Sequence, residues 1–235
     1  VRTLIILALI FMVIELLGTR FTKEKLYDSP IGQLTAIAVG TLTLPLTVMF
    51  SSFSLIRNYK ISFRGAFGIN LSSLSSAIRY AIVFLLSLLP IVFVANIAFL
   101  VLLNSIGYPV EPQTIVVAFM SKEMPIWQQI YLSFAAIVIA PIAEEILFRG
   151  ICLTAALKHM TAKEAVILVS VFFAFIHQHP ESSLSLFILA VSLSLAYLHS
   201  ANILVPILMH SFFNAFQIIT ILSIRDIPGI LPGGI

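Results

Sequence analysis

Charge is what this chain has least of. Only 10% of its 235 residues are Asp, Glu, Lys or Arg, against 60% hydrophobic residues, and the mean hydropathy is +1.11. Soluble domains carry about 25% charged residues, so the composition excludes a water-soluble fold. Cysteine is nearly absent too. The single Cys152 rules out an intrachain disulfide framework and any multi-cysteine metal site. No internal repeat is visible, which argues against the inverted-repeat transporter architectures. The 13 basic residues against 10 acidic ones are scattered through loops. They set topology in a bilayer and carry no signal for nucleic acid.

What is present in quantity is apolar helix. The class is an all-α polytopic membrane protein, a bundle of about seven or eight transmembrane helices around a polar intramembrane cavity. Apolar segments run over Thr3–Leu17, Leu34–Ile56, Ala77–Leu103, Trp127–Leu157, Glu164–Gln178, Leu184–Leu198 and Ile203–Ile224. The first lacks a small-x-small site before the polar run at Gly18, so it is expected to be a retained helix. The fourth is too long for one straight span and is interrupted by Pro141. The chain divides into N-terminal membrane helices (1–130), a helical core (131–224) and a coil tail (225–235). The loop from Arg57 to Arg79 holds four basic residues and no acid, which suits a segment lying on anionic lipid. The loop from Asn104 to Met124 is long enough to cover one mouth of the bundle. Seven loop Lys and Arg against five favour an N-terminus inside.

Against this background the run Pro141-Ile-Ala-Glu144-Glu145-Ile-Leu-Phe-Arg149-Gly150 stands out. Ionised groups inside a bilayer are expensive and mark function. Neighbouring helical residues point about 100° apart, so the two carboxylates have different tasks. Glu145 and Arg149, four apart, share a face and neutralise each other. Glu144 is left without that partner, and a lone desolvated carboxylate suits proton transfer.

His177 lies in Phe173-Ala-Phe-Ile-His177. Taken alone it reads as a histidine capping a helix end beside Pro180. Met160 and Thr161 mark the turn before it, and Glu144 and His177 lie symmetrically about that turn. Two helical arms would put both at one depth, roughly 19 Å from the edge at ~1.5 Å per residue. His210 and Asn214, in His210-Ser-Phe-Phe-Asn214, share a face and can aim two donors at one point. The alternative for this pair is polar glue between helices. A simple count leaves His210 shallower than Glu144, roughly 10 Å into its helix. His159, His179 and His199 read as solvated turn residues.

Glu144-Glu145-x-x-x-Arg149, Phe173-x-x-x-His177 and His210-x-x-x-Asn214, in this order on apolar segments, resemble the CPBP family. This is the CAAX-protease and bacteriocin-processing group, also called Abi. The resemblance covers about Leu132 to Thr220. It implies an intramembrane endopeptidase of glutamate type, in which Glu144 and His177 activate water. His210 and Asn214 would form an oxyanion hole, and Glu145 and Arg149 would stabilise the site. No cofactor is expected, with zinc on Glu and His side chains as the alternative. No His-Glu-x-x-His is present, and Arg149 beside the pair opposes a cation. The serine and aspartate signatures of other intramembrane proteases, Gly-x-Ser-Gly and Gly-x-Gly-Asp, are missing.

The expected partners are the lipid bilayer and a membrane-associated protein or peptide substrate, prenylated or not, with no nucleic acid. The expected location is a bacterial plasma membrane. Two other classes compete: a scaffold or bacteriocin self-immunity factor with dispensable proteolysis, and a proton-coupled transporter.

Overall fold

The computed structural model describes residues 30–60, 62–70, 73–110, 113–121, 123–225 and 227. The expected first span, Thr3–Leu17, lies outside these residues, as does the tail apart from Arg225 and Ile227. The described residues fold as helices with no strand among them. We label them α1 (Pro30–Tyr59), α2 (Phe63–Phe67), α3 (Leu74–Ser105), α4 (Thr114–Met120), α5 (Ile126–Ala156), α6 (Ala162–Ile176), α7 (Ser183–Ser200) and α8 (Leu204–Ile224). α3, α5, α7 with its leading 3₁₀ turn, and α8 are each long and apolar enough to cross a membrane. α6 is shorter, with 15 residues, roughly 22 Å at ~1.5 Å per residue.

Helices α3, α7 and α8 pack together around Ala77, Ala81, Leu193, Ala196 and Met209. Small side chains at these crossings let helix backbones approach closely where lipid offers no hydrophobic drive. α5 and α6 meet α7 through Phe148, Leu153, Val169, Phe173 and Ala190. The outward surfaces are apolar: Val83 is 60% exposed, Leu86 63%, Phe93 67% and Phe175 70%. This inside-out distribution suits lipid contact.

The α5–α6 turn is fixed by a capping box. Thr161 Oγ1 accepts from the Glu164 amide, while the Thr161 amide donates to Glu164 Oε2 at 2.9 Å. The long loop after α3 holds α4, which buries Phe119 and Met120 and packs on α8. Gln113 Nε2 at its head donates to Ser182 Oγ at 2.7 Å.

α5 continues through Pro141 without a break. It does so with two wide π turns, Ala135–Ile139 and Ile146–Leu153, on either side of a short α segment. Proline has no N–H and its ring crowds the preceding turn, so a regular α-helix cannot pass unchanged. In the first π turn the Ala140 amide reaches the Ala135 carbonyl. The same i to i+5 pairing would send the Ala136 carbonyl to Pro141, which has nothing to donate. In the second π turn the Thr154 hydroxyl donates to the Gly150 carbonyl at 2.7 Å, with the Arg149 carbonyl at 3.0 Å.

The segment around α2 is more than a surface strap. Ser62 caps it, accepting from the Gly65 amide at 3.0 Å, and Phe67 is 3% exposed. The Phe67 carbonyl accepts from the Ile203 amide at 3.3 Å. A Cβ on Gly150 would meet the Phe67 ring at 2.6 Å, so glycine there makes room for it. Gly68 follows with φ +66°, and a Cβ on it would lie 2.2 Å from the Ala201 carbonyl oxygen. The start of α8 is therefore seated on α2 inside the protein, with Ile203 fully buried.

Candidate active site

The α segment between the π turns carries Glu144 and Glu145, and their side chains diverge. Glu145 is fully buried. Its Oε1 accepts from Arg149 Nη1 at 2.9 Å and from His210 Nδ1 at 2.8 Å. Arg149, also fully buried, sends Nη2 to the Ala190 carbonyl at 2.9 Å. Its guanidinium carbon lies 5.0 Å from the centroid of the Phe173 ring. One carboxylate oxygen thus gathers α5 and α8, and the arginine extends the tie to α7.

Glu144 faces elsewhere. Its Oε2 is buried, has no hydrogen-bond partner, and lies 3.9 Å from both His177 Nε2 and His210 Nε2. The side chains of Glu144 and His177 are 13% and 26% exposed, against none for Glu145 and Arg149. Glu144 lies at the accessible side of the cluster, with the ion pair behind it.

Both imidazoles are held through Nδ1. His177 ends α6, and its Nδ1 lies 2.6 Å from the Phe173 carbonyl, which can only accept. Nδ1 therefore carries the proton, and Nε2, facing Glu144, is an acceptor when the ring is neutral. His177 is thus both a helix-capping histidine and a neighbour of Glu144. His210 Nδ1 donates to Glu145, since Oε1 already accepts from Arg149 and belongs to an ionised carboxylate.

Glu144 and His177, expected at one depth, approach each other to 3.9 Å. The shortfall in depth for His210 disappears because α8 begins on the buried Phe67 carbonyl. Asn214, one turn beyond His210, uses one of its two amide hydrogens away from it. Its Nδ2 donates to the Ala136 carbonyl at 2.8 Å, the acceptor that Pro141 leaves without a backbone partner. This is interhelical glue, and it leaves the second Nδ2 hydrogen available.

Some contacts in the site were not indicated by the sequence. The Phe173 ring stacks 4.5 Å from the His177 ring and 6.0 Å from that of His210, besides sitting under Arg149. Its spacing of four before His177 placed it on the same face, without indicating that role. The Ala190 carbonyl could not have been found from side-chain chemistry. Of the other histidines, His179 pairs with Glu181 at 3.3 Å. His199 packs edge-on against Tyr80 at 5.7 Å. Cys152 packs half-buried beside the Phe148 cluster.

Zinc fits this geometry poorly. Tetrahedral ligands about 2 Å from zinc stand about 3.3 Å apart, shorter than the two 3.9 Å separations here. Among the described residues, no group of three or more His, Cys, Asp or Glu side chains is arranged to hold a metal ion.

Four apolar helices around buried charges define an integral membrane protein. Residues 126–216 match the family model Rce1-like, described as type II CAAX prenyl endopeptidase Rce1-like. That stretch, from the start of α5 to two residues beyond Asn214, is a domain of this CAAX-type membrane protease family. No curated protein and no solved structure matches the chain.

Proposed function

We propose that the chain is a metal-free intramembrane endopeptidase that cleaves a membrane-associated protein or peptide with water activated by Glu144. The observation that carries this reading is the unpartnered Glu144 Oε2 equidistant from two imidazole nitrogens. A water about 2.8 Å from each of two groups 3.9 Å apart subtends close to a right angle, an acceptable hydrogen-bonding geometry. Glu144 takes a proton from that water, with His177 Nε2 accepting the second hydrogen bond. The oxygen adds to the scissile carbonyl carbon, and the negative charge moves to the carbonyl oxygen. Collapse breaks the C–N bond, and Glu144 returns its proton to the leaving nitrogen.

The oxyanion would be met by His210 Nε2 and the second Nδ2 hydrogen of Asn214. Because His210 Nδ1 already donates to Glu145, donation from Nε2 requires a doubly protonated ring. The cluster then balances: two carboxylates, one guanidinium and one imidazolium. Glu145 and Arg149 keep His210 oriented and do not touch the substrate. A bacterial plasma membrane is the proposed setting.

The test compares protein termini in membranes from cells carrying the wild-type chain or Glu144→Gln at matched expression, with and without a chelator. New termini that require Glu144 and resist the chelator are expected. Chelator-sensitive termini would replace the water-only mechanism with a metal one. Identical termini across a well-covered membrane proteome would favour the scaffold or self-immunity reading.

A further inference from the structure

A cavity of about 360 Å³ with mixed polar and apolar walls lies between the start of α3 and the α7–α8 turn, apart from the carboxylate cluster. Its walls include Asn70, Ser73, Ser76, Tyr80, Ser200 and Asn202. Arg79 stands at its rim, with Nη2 donating to Ser76 Oγ at 3.1 Å. Ser76 has accepted this bond, so its own hydroxyl hydrogen is available to a ligand. Arg79 keeps its other N–H groups, and the Tyr80 hydroxyl adds a donor. Residues 76, 79 and 80 share one face of a helix at spacings of three and four.

The segment that leads into α3 carries one sign of charge. From Arg57 to Arg79 there are four basic residues and no acid, and all four are exposed. The depth is also informative. Tyr80 is 45% exposed, while Val83 and Leu86, one and two turns on, present apolar surface. Tyrosine above an apolar band is the pattern of a helix crossing from headgroups into hydrocarbon.

We propose that this cavity binds the phosphate of an anionic membrane lipid headgroup. The guanidinium of Arg79 and the hydroxyls of Ser76 and Tyr80 are its donors, and the acyl chains run down the outside of α3. The cavity is in the size range of small-ligand sites and larger than a bare phosphate needs. The site also has a route to the carboxylate cluster. Its wall includes Gly68 and Ala201, next to the Phe67–Ile203 backbone bond that seats α8. A headgroup there braces the seat of His210, so lipid control of turnover is expected; this last step rests on the peptidase reading.

The binding test uses the full chain carrying Glu144→Gln, in phosphatidylcholine nanodiscs titrated with fluorescent phosphatidylglycerol. One saturable phosphatidylglycerol is expected. Arg79→Gln should weaken it about fivefold, the worth of one basic residue near an anionic surface, and Ser76→Asp should weaken it further. Lys158→Gln, the same charge change at another exposed turn, should leave it unchanged, and millimolar inorganic phosphate should not displace it. Equal weakening by Lys158→Gln would reduce the effect to diffuse surface charge and overturn the site. Displacement by inorganic phosphate would make free phosphate the ligand and overturn the lipid assignment. Cleavage is measured separately with Glu144 intact. Saturable binding without cleavage in any lipid would refute the peptidase reading and leave the lipid site standing.

Discussion

Neutralising Glu145 should damage the fold, whereas neutralising Glu144 should damage only the chemistry. The two glutamates are adjacent, and the same substitution, Glu→Gln, tests both. Glu145 Oε1 accepts two bonds, from Arg149 and His210. Glu145→Gln removes the counter-charge of a fully buried guanidinium and offers a competing amide donor. Removing one partner of a buried pair costs about 3–5 kcal/mol. For a chain of this size, 1 kcal/mol moves the unfolding midpoint by about 2–4 °C, so the expected fall is roughly 6–20 °C. Glu144→Gln loses no hydrogen bond, because Oε2 has none, and should unfold within about 2 °C of wild type by the same scale.

The assay is thermal unfolding of the purified chains in one detergent, read without reference to activity. The double variant Glu145→Gln with Arg149→Met supplies the internal control. It removes the stranded charge along with its partner, so it should recover much of the loss, as replacement of buried ion pairs by apolar groups often does. A Glu145→Gln midpoint equal to that of Glu144→Gln would refute the assignment of structural and chemical roles. So would a double variant less stable than the sum of its single changes.

Two further outcomes follow from the same geometry. Asn214→Ala should lower turnover about 10²–10³-fold if its second amide hydrogen meets the oxyanion; a stability loss of about 1–2 kcal/mol with turnover nearly intact would leave it as glue to Ala136 alone. Gly150→Ala should destabilise by about 1–3 kcal/mol, because its Cβ would meet the Phe67 ring at 2.6 Å. Phe67→Leu in the same chain should give part of this back in thermal unfolding, and strict additivity would deny the contact.

Among the described residues the long apolar helices could be read from the sequence because membrane spans are long apolar runs, whereas the short helices α2 and α4 fall where loops are expected. α3 was expected over Ala77–Leu103 and runs Leu74–Ser105; α7 was expected over Leu184–Leu198 and runs Ser183–Ser200. The pairing of Glu145 with Arg149 was readable from a spacing of four. The approach of Glu144 to His177 followed from their symmetry about a turn that Thr161 and Glu164 mark by a capping box. The seat of α8 was not readable. It depends on Phe67, more than 130 residues earlier in the chain, and on glycines at 68 and 150 that allow the close approach. Nothing local to His210 encodes that contact, so counting from the helix start put it too shallow.

The π turns explain the rest of the gap. Residue counting assumes about 3.6 residues per turn, and each wide turn shifts the face presented by everything after it. The cause of the first can be traced to one missing hydrogen, the amide of Pro141. Its absence leaves the Ala136 carbonyl without a backbone donor, and Asn214 supplies one from α8. The proline and the asparagine, read separately as a helix interruption and an oxyanion donor, are therefore two halves of one contact. That contact fixes α8 against α5 one turn from His210, and the His210–Glu145 bond fixes it again. Two attachments a turn apart set both the position and the rotation of α8. Together with the packing of Met209 and Phe213 against α3 and α7, they hold His210 Nε2 toward Glu144.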